Sequence, residues 1–222
     1  CAARYVCRGG TADGAQGRVS MIRAGLSSEA KRSSGDWVFV DLGFSQAAKS
    51  CGFLIGDGEP LDISFSQLRA HMLELIDGDG RPLNLLIEAP LSVAFNERGN
   101  PTGRFVEKKG VQTRYWYVGL GCSVLVAATY LLRSIHDARS KREIRLFEGL
   151  ASFKPKGIRS SHSGDVRNLR RVIWEGDSEF GRIVPPDQLA TSPNHKLESA
   201  FLVAGMDFGI PPVVELNGQG GN

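Results

Sequence analysis

The stretch Asp36-Trp37-Val38-Phe39-Val40-Asp41-Leu42-Gly43-Phe44-Ser45, continuing through Ala48-Lys49-Ser50-Cys51-Gly52-Phe53-Leu54-Ile55, organises the reading of the chain. A β-branched, aromatic-rich run carries one carboxylate at its end, a glycine turn follows, and a second strand-like run returns. This is the pattern of a β-hairpin whose first strand lies inside a sheet and presents an acid at a site. A buried, unpaired carboxylate costs several kcal/mol or neutralises itself. Asp41 therefore needs a partner, and a metal ion is the simplest one.

Outward from the hairpin, residues 1–35 are polar, rich in glycine and serine, and without periodicity; they are expected to form a flexible leader. Strands are expected at residues 37–41 and 50–55, with a short third at 61–64. Leu68, Met72, Leu75 and Ile76 recur at helical spacing over 66–76. Residues 82–90 read as a buried strand ending in Glu88, stopped by Pro90. Residues 94–109 read as a long loop, and 115–135 as an apolar helix covering one sheet face. Residues 144–148 form another strand ending in an acid, Glu148, and 165–174 an amphipathic helix.

Ser192-Pro193 is expected to cap a last helix with Leu197, Ala200, Phe201 and Ala204 on its inner face. A closing strand follows at 210–216, and 217–222 form a disordered tail. The order predicts an α/β fold: one mixed sheet, opened by an antiparallel hairpin and continued by parallel strands, with helices on its faces. At 222 residues, the expectation is a single domain over 36–216.

Three strands end in an acid, Asp41, Glu88 and Glu148, so neighbouring strands would bring these carboxylates to one sheet edge. Glu198 on the last helix would complete the set. Carboxylates gathered in one place repel, and hard divalent cations with oxygen ligands, Mg2+ or Mn2+, relieve the repulsion. Two such ions roughly 4 Å apart activate water and stabilise a leaving oxygen in phosphodiester cleavage. His195 precedes Glu198 by three residues and would share its helical face. His162 and Asp165 repeat that spacing among Ser160, Ser161 and Ser163; Asp165 is either a further ligand or the cap of its helix.

Hydrophobic residues make up 41% and charged residues 23%, an ordinary globular composition. The four cysteines, at 1, 7, 51 and 122, form no Cys-x-x-Cys pair, which argues against a zinc site or a disulfide framework and points to a reducing cytoplasm. The longest apolar run, residues 119–132, is short of the ~20 residues of a membrane helix, so no membrane partner is expected. Nothing near the N-terminus has the form of a secretory signal.

The net charge of +3 is unevenly placed. Residues 98–171 hold 16 Lys/Arg against 5 Asp/Glu, leaving 11 against 19 elsewhere. A basic middle beside carboxylates suits a polyanion, with nucleic acid the expected partner. Arg104, Lys108, Lys109, Arg114, Lys154 and Lys156 are the candidate backbone-binding residues, and Tyr115-Trp116-Tyr117 could stack on bases.

These residues resemble the RNase H-like superfamily, and most of all its bacterial predicted-nuclease branch related to RuvC-type resolvases. The matching pieces are Val38-Phe39-Val40-Asp41-Leu42-Gly43, Leu86-Ile87-Glu88-Ala89-Pro90-Leu91, Ile144-Arg145-Leu146-Phe147-Glu148-Gly149 and His195-Lys196-Leu197-Glu198-Ser199-Ala200. The last is similar to the family's closing helix, where an acid follows a histidine by three. The resemblance implies a metal-dependent nuclease in which Asp41 bridges the ions, Glu88 and Glu148 ligate one each, and Glu198 completes the site. His195 or Lys49 would assist. Two other readings stand beside it: a non-catalytic nucleic-acid or protein-binding module on the same fold, and an actin-like phosphotransferase suggested by Asp41-Leu42-Gly43-x5-Lys49. The latter needs a second glycine-rich phosphate loop, which is not found.

Overall fold

The structure is a computed structural model, and it describes residues 22–43, 49–78, 80–113, 120–151, 161–176 and 179–217. The chain opens with β1 (Ile22–Ala24) and enters the central hairpin as β2 (Asp36–Leu42) and β3 (Cys51–Ile55), with β4 (Leu61–Ile63) beyond it. Then come α1 (Phe65–Asp77), β5 (Leu83–Glu88), β6 (Ser92–Phe95), β7 (Pro101–Thr102), β8 (Lys108–Lys109) and β9 (Gln112–Thr113). The second half holds α2 (Leu120–Asp137), β10 (Ile144–Leu150), α3 (His162–Glu175), β11 (Gly181–Val184), β12 (Lys196–Ser199) and β13 (Val213–Leu216).

The main sheet runs β11-β13-β10-β5-β2-β3-β4, and β1 also pairs with β10. It is mixed: β2, β5, β10 and β13 are parallel neighbours, whereas β3, β4 and β11 are antiparallel. The α/β class with a mixed sheet and an opening antiparallel hairpin is thus present. Central parallel strands are covered on both faces, which is why β2 is apolar on nearly every residue. Val38, Val40 and Leu42 face α1 and α2 in one core. Trp37 and Phe39, one residue out of phase, face α3 in a second core with Leu86, Phe147 and Val214. Helices therefore lie on both faces of the sheet.

Local chemistry explains the helix boundaries. Ser64 accepts from the Gln67 amide while Gln67 returns a bond to the Ser64 amide, a capping box that starts α1. Ser161 caps α3 by accepting from the Gly164 amide, and Gly176, at φ 62°, ends it in the left-handed conformation. No helix among the described residues is long and apolar enough to cross a membrane.

Three expectations are corrected. The leader over 1–35 is not wholly flexible: Ile22 to Gly35 belong to the fold. β1 extends the sheet beside β10, Arg23 pairs with Glu29 and Glu143, and the Trp37 indole N–H donates to the Lys31 carbonyl. Residues 1–21 and the tail from 218 lie outside the described residues. The helix expected from Ser192 onward is a turn, the strand β12 and a short 3-10 turn. Its apolar residues serve different cores, Leu197 packing against the cluster around Val106 and Leu189 and Phe201 against the α1–α2 side, which one helical face cannot do. Finally, the loop expected over 94–109 carries structure: it completes β6 and includes β7, a 3-10 turn and β8. β11 is a further strand that the sequence pattern does not announce.

Candidate metal centre

β2 and β5 run side by side in a register that sets Asp41 opposite Glu88. Neighbours in a parallel pair point to the same face. Asp41 shares the phase of Trp37 and Phe39, and Glu88 that of Leu86, so both carboxylates rise on the face covered by α3. Asp165, in the first turn of α3, meets them there. One carboxylate oxygen from each of Asp41, Glu88 and Asp165 lies within 4.8 Å of the others, and among the described residues this is the one such grouping of three. Asp41 and Asp165 are buried, each 3% exposed.

Glycines let the helix come this close. A Cβ on Gly52, the partner of Asp41 across the hairpin, would sit 2.4 Å from the His162 carbonyl oxygen. A Cβ on Gly43 would sit 2.4 Å from His162 Nε2. Gly149, next to Glu88, clears Leu169 and Leu86 in the same way. The first turn of α3 is also fastened from the side, since Asp62 accepts from both the amide and the hydroxyl of Ser163.

Three carboxylates this close repel one another unless something positive faces them. The N-terminus of α3 supplies the positive end of its dipole. His162 Nδ1 lies 2.8 Å from Asp41 Oδ2, and the Ala151 amide donates to Glu88 Oε1 at 3.1 Å. The donor set is all oxygen, charged and largely buried, and so fits a hard divalent cation. Nearby Cys51 does not join it: burial pushes its thiol up, away from the thiolate form that ligates metals.

Other expected site residues lie elsewhere. Glu148 is opposite Ile87, not Glu88, and therefore points to the opposite face of the sheet. There it is wholly buried and held by Arg104 through two bonds, 2.7 Å and 2.8 Å, and by the Leu91 amide at 2.9 Å. Arg104 is consequently no phosphate ligand: its guanidinium is buried and also bonds Ser92 Oγ and Glu107. Glu198 is on β12, opposite Val93 of β6, and pairs with Lys196 at 2.6 Å. His195 lies in the turn before β12, against Thr191 Oγ1. Neither belongs to the carboxylate group, because the helix that was to carry them is absent.

Lys49 and Lys108 are exposed, and Lys109 follows Lys108 in β8. Arg114, Lys154, Lys156 and Tyr115-Trp116-Tyr117 lie outside the described residues. Asp165 is not the cap of α3, since Ser161 fills that role. The residue missing from the expected site is His162; its signal was the three-residue spacing to Asp165, which also drew attention to His195.

No family model, curated protein or solved structure matches this chain.

Proposed function

We propose that the protein is a metal-dependent nuclease of RNase H-like architecture, with Asp41, Glu88 and Asp165 holding Mg2+ or Mn2+. The observation that carries this reading is the convergence of three carboxylates from β2, β5 and α3 on one buried point. The antiparallel opening hairpin and the acids at the ends of adjacent parallel strands support it, as does a histidine three residues before an acid on a helix. That pair is His162 and Asp165, not His195 and Glu198.

A divalent ion held here supplies Lewis acidity toward a phosphate oxygen and makes a water more acidic at neutral pH. The chain's part is to fix the donors. Asp41 and Glu88 sit on rigid central strands, Asp165 on the capped end of a helix, and His162 orients the Asp41 carboxylate. The low exposure of Asp41 and Asp165 strengthens every charge interaction at the site.

The test is cleavage of labelled single- and double-stranded DNA and RNA with Mg2+ or Mn2+, with chelator, and with Asp41→Asn. Metal-dependent cleavage that Asp41→Asn abolishes is the expected result. Cleavage untouched by Asp41→Asn overturns the assignment. Mn2+ binding with no cleavage of any substrate leaves the non-catalytic binding module instead.

A further inference from the structure

The β8–β9 hairpin is a second feature that the carboxylate site does not use. Lys108 pairs with Thr113 and Lys109 with Gln112, closed by the two-residue turn Gly110-Val111. Gly110 has φ 58°, the conformation that the first position of such a hairpin turn demands and that glycine supplies. The second position is unusual. Turn tips favour Asn, Asp, Ser and Gly, yet here stands a β-branched apolar residue, Val111, fully exposed at 103%.

The turn that leads into the hairpin is anchored to the sheet. Arg104 and Glu107 brace the 3-10 turn that enters β8: the Glu107 carboxylate accepts from the Arg104 amide, and Arg104 is locked onto Glu148 of β10. Glu148 neighbours Ile87, one residue before Glu88, so Arg104 is anchored at the same end of the sheet as the three carboxylates, on the opposite face. Around the base of the hairpin, half-exposed Phe105 lies under the Arg182 guanidinium at 5.5 Å. Arg104 and Glu107 are both buried and pair with each other, so among the described residues from 98 to 113 the charged side chains shown to solvent are Arg98 and Lys108, both positive.

We infer that the β8–β9 hairpin is a groove-binding wedge for double-stranded nucleic acid, with Lys108 on the backbone and Val111 against the bases. This rests on the proposed nuclease reading and names its substrate as a duplex. The positive charge of Lys108 matches the phosphates, and an apolar side chain at a hairpin tip is the kind of group that wedges at a base step. An anionic lipid surface would attract Lys108 as well, but one valine buries too little apolar area to hold a protein on a bilayer.

The experiment measures anisotropy of short fluorescein-labelled duplexes, one DNA and one RNA, across a salt series with chelator present to prevent cleavage. Wild type is compared with Lys108→Gln and Val111→Ser, both exposed and so expected to leave the melting temperature unchanged. Lys108→Gln lowers the slope of log affinity against log salt by about 1 for the bound duplex. Val111→Ser leaves the slope alone, weakens binding about tenfold, and removes the 2-aminopurine signal of an unstacked step. If wild type cleaves nucleic acid while both variants bind duplex as tightly as wild type with the same slope, the wedge is wrong and the nuclease reading stands. If no nucleic acid is bound or cleaved, both fall. Binding to phosphatidylserine vesicles that Val111→Ser abolishes, without duplex binding, makes the hairpin a membrane loop and overturns the inference.

Discussion

His162 Nδ1 and Asp41 Oδ2 stand 2.8 Å apart, joining the first residue of α3 to the end of β2 across two glycines. The contact fixes which way the Asp41 carboxylate faces, as outer hydrogen bonds do for metal-ligating groups. His162→Ala is expected to weaken Mn2+ binding about 10- to 100-fold, and His162→Gln, which keeps a donor, to restore part of it. Titration calorimetry with Mn2+ reads this directly. Equal affinity in both variants would make the histidine a structural contact only.

Replacing the acids themselves separates site from scaffold. Asp41→Asn or Asp165→Asn removes charge from a crowded site, so the metal-free protein should melt at the same temperature or higher. Mn2+ is expected to raise the melting temperature of wild type and to leave that of either variant unchanged. Thermal melts with and without Mn2+ are sufficient. A variant that still gains stability from Mn2+ would place the ion elsewhere.

Glu148 should behave in the opposite way. Its removal takes two charged hydrogen bonds from the buried Arg104 guanidinium and leaves it to Glu107 and Ser92, a loss toward the low end of the roughly 3–5 kcal/mol for breaking a buried ion pair. Glu148→Ala should therefore lose stability in chemical denaturation whether or not metal is present. Retained wild-type stability in Glu148→Ala would mean that the Arg104 cluster does not brace the fold.

Gly52→Ala tests the close approach of α3. Its Cβ would meet the His162 backbone carbonyl, which no rotamer change can move aside. The helix must lift, at a cost of about 1–3 kcal/mol, and Asp165 lifts with it. Both melting temperature and Mn2+ affinity should fall. A loss of stability with unchanged affinity would show that Asp165 does not depend on this contact.

The Arg104 cluster also has a pH signature. Burial raises the Glu107 carboxyl above its ordinary range, aided by the Glu148 charge and opposed by Arg104. The folded chain then holds a proton that the unfolded chain has already released. This contribution favours the fold below the ordinary carboxylate range and is lost as pH rises toward the folded value. Glu29 and Glu143 have the opposite sign: hydrogen bonds from Arg23 and Arg145 lower them, and their support fades as pH falls. Denaturant melts across the acid range should give Glu107→Gln a steeper gain with pH than wild type. Identical profiles would remove the Glu107 assignment.

The hairpin and Asp41 were legible because a long apolar run ending in one acid fits little besides a buried strand that delivers that acid to its edge. Glu88 was legible for the same reason. Glu148 was not, because the face of a strand-end acid depends on register. Ile144, Leu146 and Phe147 are apolar on both faces, so the run gives no phase, and a one-residue offset against β5 turns the side chain away. His195 and Glu198 failed differently. Lys196-Leu197-Glu198-Ser199 alternates as a strand does, while the wider spacing of Leu197, Phe201 and Ala204 imitates a helix; pairing with β6 decided between them. β1, at three residues, is too short for any period to reveal.

One flank of β10 is tiled by two strands, β1 along Ile144–Leu146 and β13 along Glu148–Leu150. During synthesis the first tile is made long before β10 and the second long after it. Until Val213–Leu216 emerges from the ribosome, the half of β10 beside Glu88 has an open edge able to pair with another chain. Premature termination between α3 and β13 would thus yield a chain that already carries Asp41, Glu88 and Asp165 yet remains prone to aggregate.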